Sequence, residues 1–338
     1  MTLALKEKVR AFSLSDDPSS AARDLFAPDA AIHVVHPINT LTGPDAYADS
    51  FLAPLRSAFR DLHRRDDILM SGTFEGQHWV TTHGNYVGRF AQDWLGLTAP
   101  DRLDYLRYGE FFRFDGGRVV EAYIYLDLPQ LMIATGQWPD GLPSPAITAG
   151  YTGLIPGPMT QDGLLLTDTD PGEGEHSYRI VTDMLAELAT PDEAWRPYWH
   201  DRMMWYGPAA FGSFVGVDDF AAFQTPFENA FSLWSGGSKN NGVTRHFTRF
   251  GDGTYTASGG WPSLMAVRAR AFLGQPSHGE TLLMRVCDWW RREADLLREN
   301  WVMVDIPDVL LQMGIDLFPG RHTVAPGPRH PSPTGVPA

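Results

Sequence analysis

The chain has 338 residues, of which 43% are hydrophobic, and a formal net charge of −14 at pH 7. This length predicts two or three domains, and the composition is typical of a globular protein. Nucleic-acid binding is not expected, because phosphate backbones recruit clustered Lys and Arg and the chain has no basic run. A membrane partner is not expected either, because no apolar run approaches the ~20 residues of a membrane span.

Two further features predict a cytoplasmic location. The single cysteine, Cys287, excludes an internal disulfide, which fits a reducing compartment. The first residues, MTLALKEKVRAF, are too charged for the apolar segment of a signal peptide. Cys287 lies in an apolar run, where a buried inert thiol is expected rather than a nucleophile.

The first half of the chain predicts helices followed by a sheet. Residues 44–62 have apolar side chains at helical spacing, with Asp45 in the first turn, where an acidic group suits the helix dipole. Three stretches rich in aromatic and β-branched residues are predicted strands: 77–90, 104–114 and 118–127. A short closing helix is predicted at 129–135. Helices wrapped by a curved antiparallel sheet form an α+β pattern.

The second half repeats the first. The segment YIYLDLPQLMIATG at 123–136 matches WVMVDIPDVLLQMG at 301–314, with Asp, Pro and Gly at the same spacing. The same offset of 178 relates Glu110 to Asp288, and a constant offset over such a stretch implies a duplicated unit. Upstream, the match continues with small gaps and aligns His36 with Gly207.

We therefore predict two copies of one domain, at residues 1–136 and 174–321. The intervening residues 137–173 are rich in Gly, Pro, Asp and Thr and are predicted to form a linker. Pro and Gly dominate residues 322–338, which predicts an irregular tail.

A series of motifs in the first copy resembles one known family. HGNYVGRF at 83–90 is similar to a strand ending in G-x-x-x-G, and GLTAPDR at 96–102 is similar to a G-x-P-P-T-[DG]-[KR] loop. FRF at 112–114, RVVE at 118–121 and Asp127 follow in the family's order. Together they resemble the SnoaL-like polyketide cyclases of the NTF2-like superfamily. The resemblance implies an α+β cone in each copy, in which a curved antiparallel sheet wraps around helices and encloses a small-molecule pocket.

The resemblance leaves the chemistry open. Relatives of this fold include aldol cyclases, isomerases, dehydratases, epoxide hydrolases and non-catalytic binding proteins. The SnoaL-type cyclases use a His and an Asp on adjacent strands. The corresponding positions here hold Glu110 and Ile124 in the first copy, and Asp288 and Val302 in the second. Neither copy carries the cyclase pair, so a non-standard catalytic set is expected.

Glu110 is the leading candidate for catalysis. Strand alternation places it on one face with Tyr108 and Phe112. If that face lines the cone, desolvation raises the pKa of Glu110 and suits it to proton transfer near neutral pH. His36, at the end of the first strand, and Tyr108 are its candidate polar helpers. The alternative is that Glu110 and His36 are structural, hydrogen-bonded groups.

Eight residues are candidates for contacting a ligand. Asp127 precedes a Pro at the end of a strand, a position that also predicts a helix N-cap. A His in the middle of a sheet, such as His83, is more often structural than functional. The candidates are His83, Phe112, Ile124 and Asp127 in the first copy, and Tyr206, His246, Trp261 and Asp288 in the second.

No cofactor or metal is expected, because the chain has no H-E-x-x-H, no C-x-x-C and no Walker loop. One hypothesis is a cofactor-independent acid–base enzyme that cyclises, isomerises, dehydrates or hydrolyses a small, largely apolar carbonyl compound. The other is a non-catalytic binding or scaffold protein. In both, we expect the copies to pack as an intramolecular pseudo-dimer, with further homo-oligomerisation optional. We expect any chemistry in the first copy, because Gly207 and Gly259 replace His36 and His83 in the second.

Overall fold

The chain folds into two compact units. The structure is a computed structural model that describes residues 2–142, 154–188, 193–236, 244 and 246–321. Of these, the first unit comprises 2–137, 154–168 and 316–321, and the second unit comprises the rest. The segment expected as a linker is thus divided between the units, and the predicted tail at 322–338 lies outside the described residues. The expected pseudo-dimer stays a prediction.

The first unit is a six-stranded sheet with helices. Its strands lie in the order β2-β1-β6-β5-β4-β3, and only the β1–β6 pair is parallel. A π-helical turn, Ala48–Leu52, joins α3 to α4. The elements are α1 Thr2–Ser13, α2 Pro18–Leu25, β1 Phe26–Val34, β2 Thr40–Thr42, α3 Gly43–Tyr47, α4 Ala53–Ala58, β3 Phe59–Phe74, β4 Gln77–Phe90, β5 Arg102–Asp115, β6 Arg118–Leu126 and α5 Leu128–Ala134.

Strand β3 is the main element that the sequence did not predict. The helix predicted over 44–62 ends at Ala58, and the backbone turns extended at Phe59. The charged run of β3, Arg60 to Asp67, hides its strand character in the sequence. Charged residues are tolerated there because one edge of β3 has no neighbouring strand in the sheet and most of these side chains are not fully buried. Two residues of this run, Arg64 and Asp66, nevertheless reach the interior.

The second unit repeats this topology. Its sheet has the order β10-β11-β12-β13-β7-β8, and β9 also pairs with β11, so β9 and β10 together take the place of β3. The only parallel pair is again the one between the first and last long strands, β7 and β13. The elements are α6 Pro171–Ala186, a 3-10 turn Arg196–Tyr198, β7 Trp199–Tyr206, β8 Ser213–Val215, α7 Val217–Asn229, β9 Phe231–Gly236, β10 His246–Asp252, β11 Tyr255–Arg268, β12 Thr281–Glu293, β13 Leu296–Val304 and α8 Ile306–Gln312.

The strand registers show that Glu110 and Asp288 are equivalent. Glu110 pairs with Thr82 on one side and Ile124 on the other, and Asp288 pairs with Ser258 and Val302. The sequence alignment of the first strands is wrong by two residues, however. His33 pairs with Tyr123 as Tyr206 pairs with Trp301, so His33 corresponds to Tyr206 and not to Met204.

Both closing helices begin with the same buried interaction. Asp127 caps α5 by accepting a hydrogen bond from the Gln130 N–H at 3.2 Å, and it pairs with Arg107 at 2.9 Å. Asp305 caps α8 in the same way and pairs with Arg285 at 2.8 Å. The repeated Asp-x-Pro motif therefore encodes an N-cap that also pairs with a guanidinium, which is buried in the first unit and half-buried in the second.

We predict that Asp127→Ala lowers the free energy of unfolding by about 3–5 kcal/mol, because it leaves the buried Arg107 guanidinium without this carboxylate. Asp170 caps α6 from an exposed position, and Asp170→Ala is the matched control, with an expected loss of about 1 kcal/mol. Urea unfolding of both variants measures the difference. Equal losses would show that the ion pair contributes nothing beyond the cap.

Candidate functional site

In the first unit, Glu110 lies at the centre of a buried polar network. Its side chain is fully buried, on the inner face of β5 as predicted. Arg64 Nη2 donates to Glu110 Oε2 at 2.6 Å, Thr82 Oγ1 donates to the same oxygen at 3.2 Å, and Tyr86 Oη donates to Oε1 at 3.3 Å. Both carboxyl oxygens are thus occupied by protein groups.

The network around Arg64 occupies the space next to Glu110, and its members Arg64 and Tyr86 separate Glu110 from a cavity of about 230 Å³ that they help to line and Glu110 does not. Arg64 also pairs with Asp66 at 3.0 Å, and its guanidinium lies 4.6 Å from the centre of the Tyr108 ring. Tyr108 donates its hydroxyl to Asp66. Burial raises the pKa of Glu110, and the charge and hydrogen bond of Arg64 oppose this rise. Glu110 is therefore held by an internal cation rather than offered to a ligand.

The other first-copy candidates lie apart from this network. His36 is fully buried in the loop after β1, with Nε2 3.7 Å from Asp316 and its ring against Phe318. His83 pairs with Gly109 and so lies on the outer face of the sheet, where burial and the charge of Arg107 lower its pKa well below the usual value.

Three further candidates of the first unit form part of the hydrophobic core or its cap. Phe112 packs edge-on against Phe12 and Phe26. Ile124 lies directly across the β5–β6 pair from Glu110 and is fully buried. Asp127 is the N-cap described above.

The second unit contains an apolar cavity of about 140 Å³ at the position that the network fills in the first. Its polar lining includes Asp288, His246 and Asn300. The aromatic part of the lining, none of it among the eight ligand-contact candidates, includes Trp199, Trp205, Phe220, Phe223, Phe227 and Trp290. The spacing of Phe220, Phe223 and Phe227 along one face of α7 was the available signal for these residues.

Two substitutions explain why this unit has room. Tyr108 pairs with Gly84 in the first unit, and Val286 pairs with Gly260 at the same place in the second. Tyr86 pairs with Leu106 in the first unit, and Leu264 pairs with Met284, the equivalent of Leu106, in the second. Both tyrosines are thus replaced by smaller aliphatic residues, and Val286 and Leu264 line the cavity.

Gly84 has no room for a side chain. A Cβ at Gly84 would lie 2.0 Å from the carbonyl oxygen of Arg65 and 2.8 Å from Tyr108 Oη. The nearer atom belongs to the backbone of β3, and the equivalent residue of the second unit, Gly260, is also a glycine, so the close approach of the strands rather than Tyr108 alone requires it.

Asp288 is the titratable group of the cavity. It is half-buried, and because it lines the cavity, the accessible part of its side chain faces that space. Burial raises the pKa of Asp288 to about 7, while a hydrogen bond from Asn300 and the charge of Arg249 act in the opposite direction. Asp288 therefore exchanges its proton near neutral pH.

His246 is a neutral hydrogen-bonding group on the same wall. Burial and the charge of Arg249 lower its pKa to about 3. Its Nδ1 lies 2.6 Å from Ser258 Oγ, and the other acceptor near that hydroxyl in the described part of the chain is the Thr248 carbonyl at 3.5 Å, too long for a good O–H···O bond. We assign the Ser258 proton to the shorter contact, so Nδ1 accepts and Nε2 carries the hydrogen of the neutral ring.

The last two second-copy candidates do not line the cavity. Tyr206 stacks on Trp301 and donates to Glu299 at 3.4 Å. Trp261 lies against the guanidinium of Arg285, with 4.5 Å between the charge centre and the ring centre. Of the four second-copy candidates, the structure brings together His246 and Asp288.

Comparison with known proteins now identifies the domain type. The profile of the SnoaL-like domain matches residues 9–122. The first unit is a SnoaL-like domain. The second unit repeats its strand order and register, so the prediction of tandem SnoaL-like α+β cone domains is confirmed. No curated protein matches the chain.

Several solved structures are similar in fold. A candidate SnoaL-like polyketide cyclase from Jannaschia sp. CCS1 is 19% identical, and the match covers 41% of this chain and 95% of that protein, with a TM-score of 0.34. IdmH, a candidate polyketide cyclase from Streptomyces antibioticus, is 21% identical over 40% of this chain and 99% of its own, with a TM-score of 0.32. An NTF2-like protein from Burkholderia thailandensis E264 is 17% identical over 41% and 99%, with a TM-score of 0.32.

The structure adds one observation on membranes and one on metals. Within the described ranges, no helix is long and apolar enough to cross a membrane. The same part of the chain holds no group of three or more His, Cys, Asp or Glu side chains arranged to bind a metal ion.

We predict that Arg64→Met lowers the free energy of unfolding by about 3–5 kcal/mol near pH 8, because it leaves the buried Glu110 carboxylate without its cation. The double variant Arg64→Met/Glu110→Gln should recover much of this loss, because it removes the Glu110 charge together with its cation and leaves Asp66 with its hydrogen bond from Tyr108. Urea unfolding of the two single variants and the double variant gives the coupling energy. Additive losses would contradict the coupling between Arg64 and Glu110.

Proposed function

We propose that the second unit carries the function: its cavity takes up a small, largely apolar carbonyl compound, and Asp288 moves a proton on it without a cofactor. The observation that carries this proposal is a carboxyl group with a pKa of about 7 on the wall of an apolar cavity. A base works best when its pKa lies near the operating pH, because it is then both available and strong enough.

The chemistry follows from two polar groups of the lining, Asp288 and His246. The Asp288 carboxylate takes a proton from the carbon next to the ligand carbonyl, and the C–H electron pair forms the C=C bond of an enolate. The Nε2–H of neutral His246 donates to the oxygen on which negative charge develops. Where a further C=C bond is conjugated with the enolate, return of the proton from Asp288 to its far carbon gives isomerisation. Attack of the enolate on a second carbonyl, whose oxygen then takes the proton, gives cyclisation. Departure of a β-hydroxyl with that proton, as water, gives dehydration.

The first unit supports a structural role. Its buried carboxyl is paired with Arg64, and two tyrosines occupy the equivalent of the ligand space. The geometry therefore favours the second copy over the first as the seat of chemistry, against the expectation from the sequence. A non-catalytic binding protein is the alternative, since an apolar cavity alone suffices for it.

We predict that Asp288→Asn makes the protein more stable than wild type at about pH 8 and leaves it nearly unchanged at about pH 4. The folded-state pKa of Asp288 is raised, so its favourable contribution is complete below the unfolded pKa near 4 and is lost as pH rises through about 7. We expect a gain of about 2–4 kcal/mol at the higher pH. Urea unfolding at both pH values measures it. A variant less stable than wild type at pH 8 would mean that Asp288 is ionised and well solvated.

We predict that the protein catalyses exchange of the methyl protons of acetophenone in D₂O, which proton NMR follows as loss of the methyl signal. The rate should rise as the pH passes through about 7, because Asp288 then ionises. The titratable and charged groups next to Asp288 are Arg249 and His246, both on β10, and Tyr178 of α6 faces Arg249. Asp288→Asn should lower the rate at least about 100-fold, the usual contribution of a general base.

Glu110→Gln is the matched control for that experiment, because Glu110 is the equivalent carboxyl of the first unit. It should keep at least half of the exchange rate. If Glu110→Gln abolishes exchange and Asp288→Asn does not, the functional copy is the first one. If acetophenone binds in the cavity but neither variant changes its exchange, the protein is a binding protein.

A further inference from the structure

The second unit's cavity offers no positive charge to a ligand. Among the described residues, no Lys or Arg side chain lines it, and its ionisable groups are Asp288 and the neutral His246. Arg249 lies on the same face of the sheet as Asp288, with Nε 3.3 Å from Ser258 Oγ, but its side chain is not part of the lining. An anion entering the cavity would lose its hydration next to a carboxyl group and gain no direct counter-ion. The lining therefore favours an uncharged ligand.

The same wall offers hydrogen-bond donors. Trp199 Nε1, Trp290 Nε1 and His246 Nε2 are buried and have no hydrogen-bond partner among the described residues, and all three side chains line the cavity. Buried indole N–H groups ordinarily find an acceptor, so such groups call for an explanation. A ligand oxygen would supply the missing acceptor.

The volume indicates the size of the group that the walls surround. An apolar cavity of about 150 Å³ holds one benzene molecule, and this cavity has about 140 Å³. The cavity is partly open, so this volume fits one ring, or an aliphatic group of equal size, and sets no limit on what extends beyond it.

We propose that the ligand of the second unit is an uncharged compound that presents a carbonyl oxygen and places about one ring, or an aliphatic group of that size, in the cavity, and not a carboxylate or a phosphorylated compound. This inference rests on the proposed function in taking this cavity as the functional site. It goes further by naming the charge and size that the walls select.

Acetophenone and benzoate provide a matched pair of probes, because they have nearly the same shape and differ in charge. We expect acetophenone to bind wild-type protein saturably, with a dissociation constant of about 1 mM or tighter, by NMR titration of the tryptophan indole signals. Benzoate should bind at least about tenfold more weakly at neutral pH, since like charges in contact are unfavourable. Benzamide, neutral and of the same size, should behave as acetophenone does.

Val286→Tyr tests the location, because it restores the residue that fills this place in the first unit. It should abolish acetophenone binding, and Leu264→Phe is the milder variant if Val286→Tyr does not fold. Tyr86→Phe, in the first unit, should leave binding unchanged. Equal or tighter binding of benzoate, no binding of acetophenone, or binding that survives in the folded cavity variants would each overturn the inference.

The failure of this inference can be distinguished from failure of the proposed function. If acetophenone binds and benzoate does not, but Asp288→Asn leaves proton exchange intact, the ligand class stands and the catalytic role falls. If benzoate binds as well as acetophenone while Asp288→Asn still abolishes exchange, the catalytic role stands and the ligand class falls.

Discussion

The buried carboxyl group on the middle strand of each sheet is the constraint on which the two interiors depend. Glu110 and Asp288 occupy the same position in the strand pairing, and burial raises the pKa of both. A carboxyl group removed from water must gain a cation, gain hydrogen bonds or keep its proton. The first unit supplies the cation Arg64, whereas the second lets the pKa of Asp288 rise to about 7.

These two solutions require different surroundings. The ion pair of the first unit needs donors on every side, and Tyr86, Thr82 and Arg64 provide them while their bulk fills the space. In the second unit, Leu264 and Val286 provide no donor and leave a cavity. In the second unit, a group that can take or give a proton therefore lies beside space for a ligand. In the first unit, protein groups occupy both carboxylate oxygens of Glu110, so no such space adjoins them.

Much of the frame was predictable from the sequence, and the difference between the copies was not. The 178-residue offset identified the duplication, and strand alternation placed Glu110 on the inner face. The partner Arg64 was missed because it lies on β3, whose charged edge sequence has no clear strand pattern. The cavity was missed because the replacement of Tyr86 by Leu264 depends on an irregularity in β11 between Gly260 and Leu264, which shifts the register against β12.

The outer faces of the sheets show what the duplication preserved. Arg113 pairs with Glu121 at 2.7 Å in the first unit, and Arg291 pairs with Glu299 at 2.6 Å in the second. Burial raises the pKa of Glu121, but hydrogen bonds from His33, Arg113 and Tyr123 outweigh it and lower the value to about 2.

Such an ion pair stabilises the folded state across the whole neutral range, because the Glu121 carboxylate stays ionised until the pH falls toward 2. The two copies therefore share the interactions that hold their sheets and caps together, including the pairs at Asp127 and Asp305. They differ in the groups that surround one inward-facing carboxyl. Because the frame does not depend on that carboxyl, one copy can pair it with a buried cation while the other leaves it titratable on the wall of a cavity.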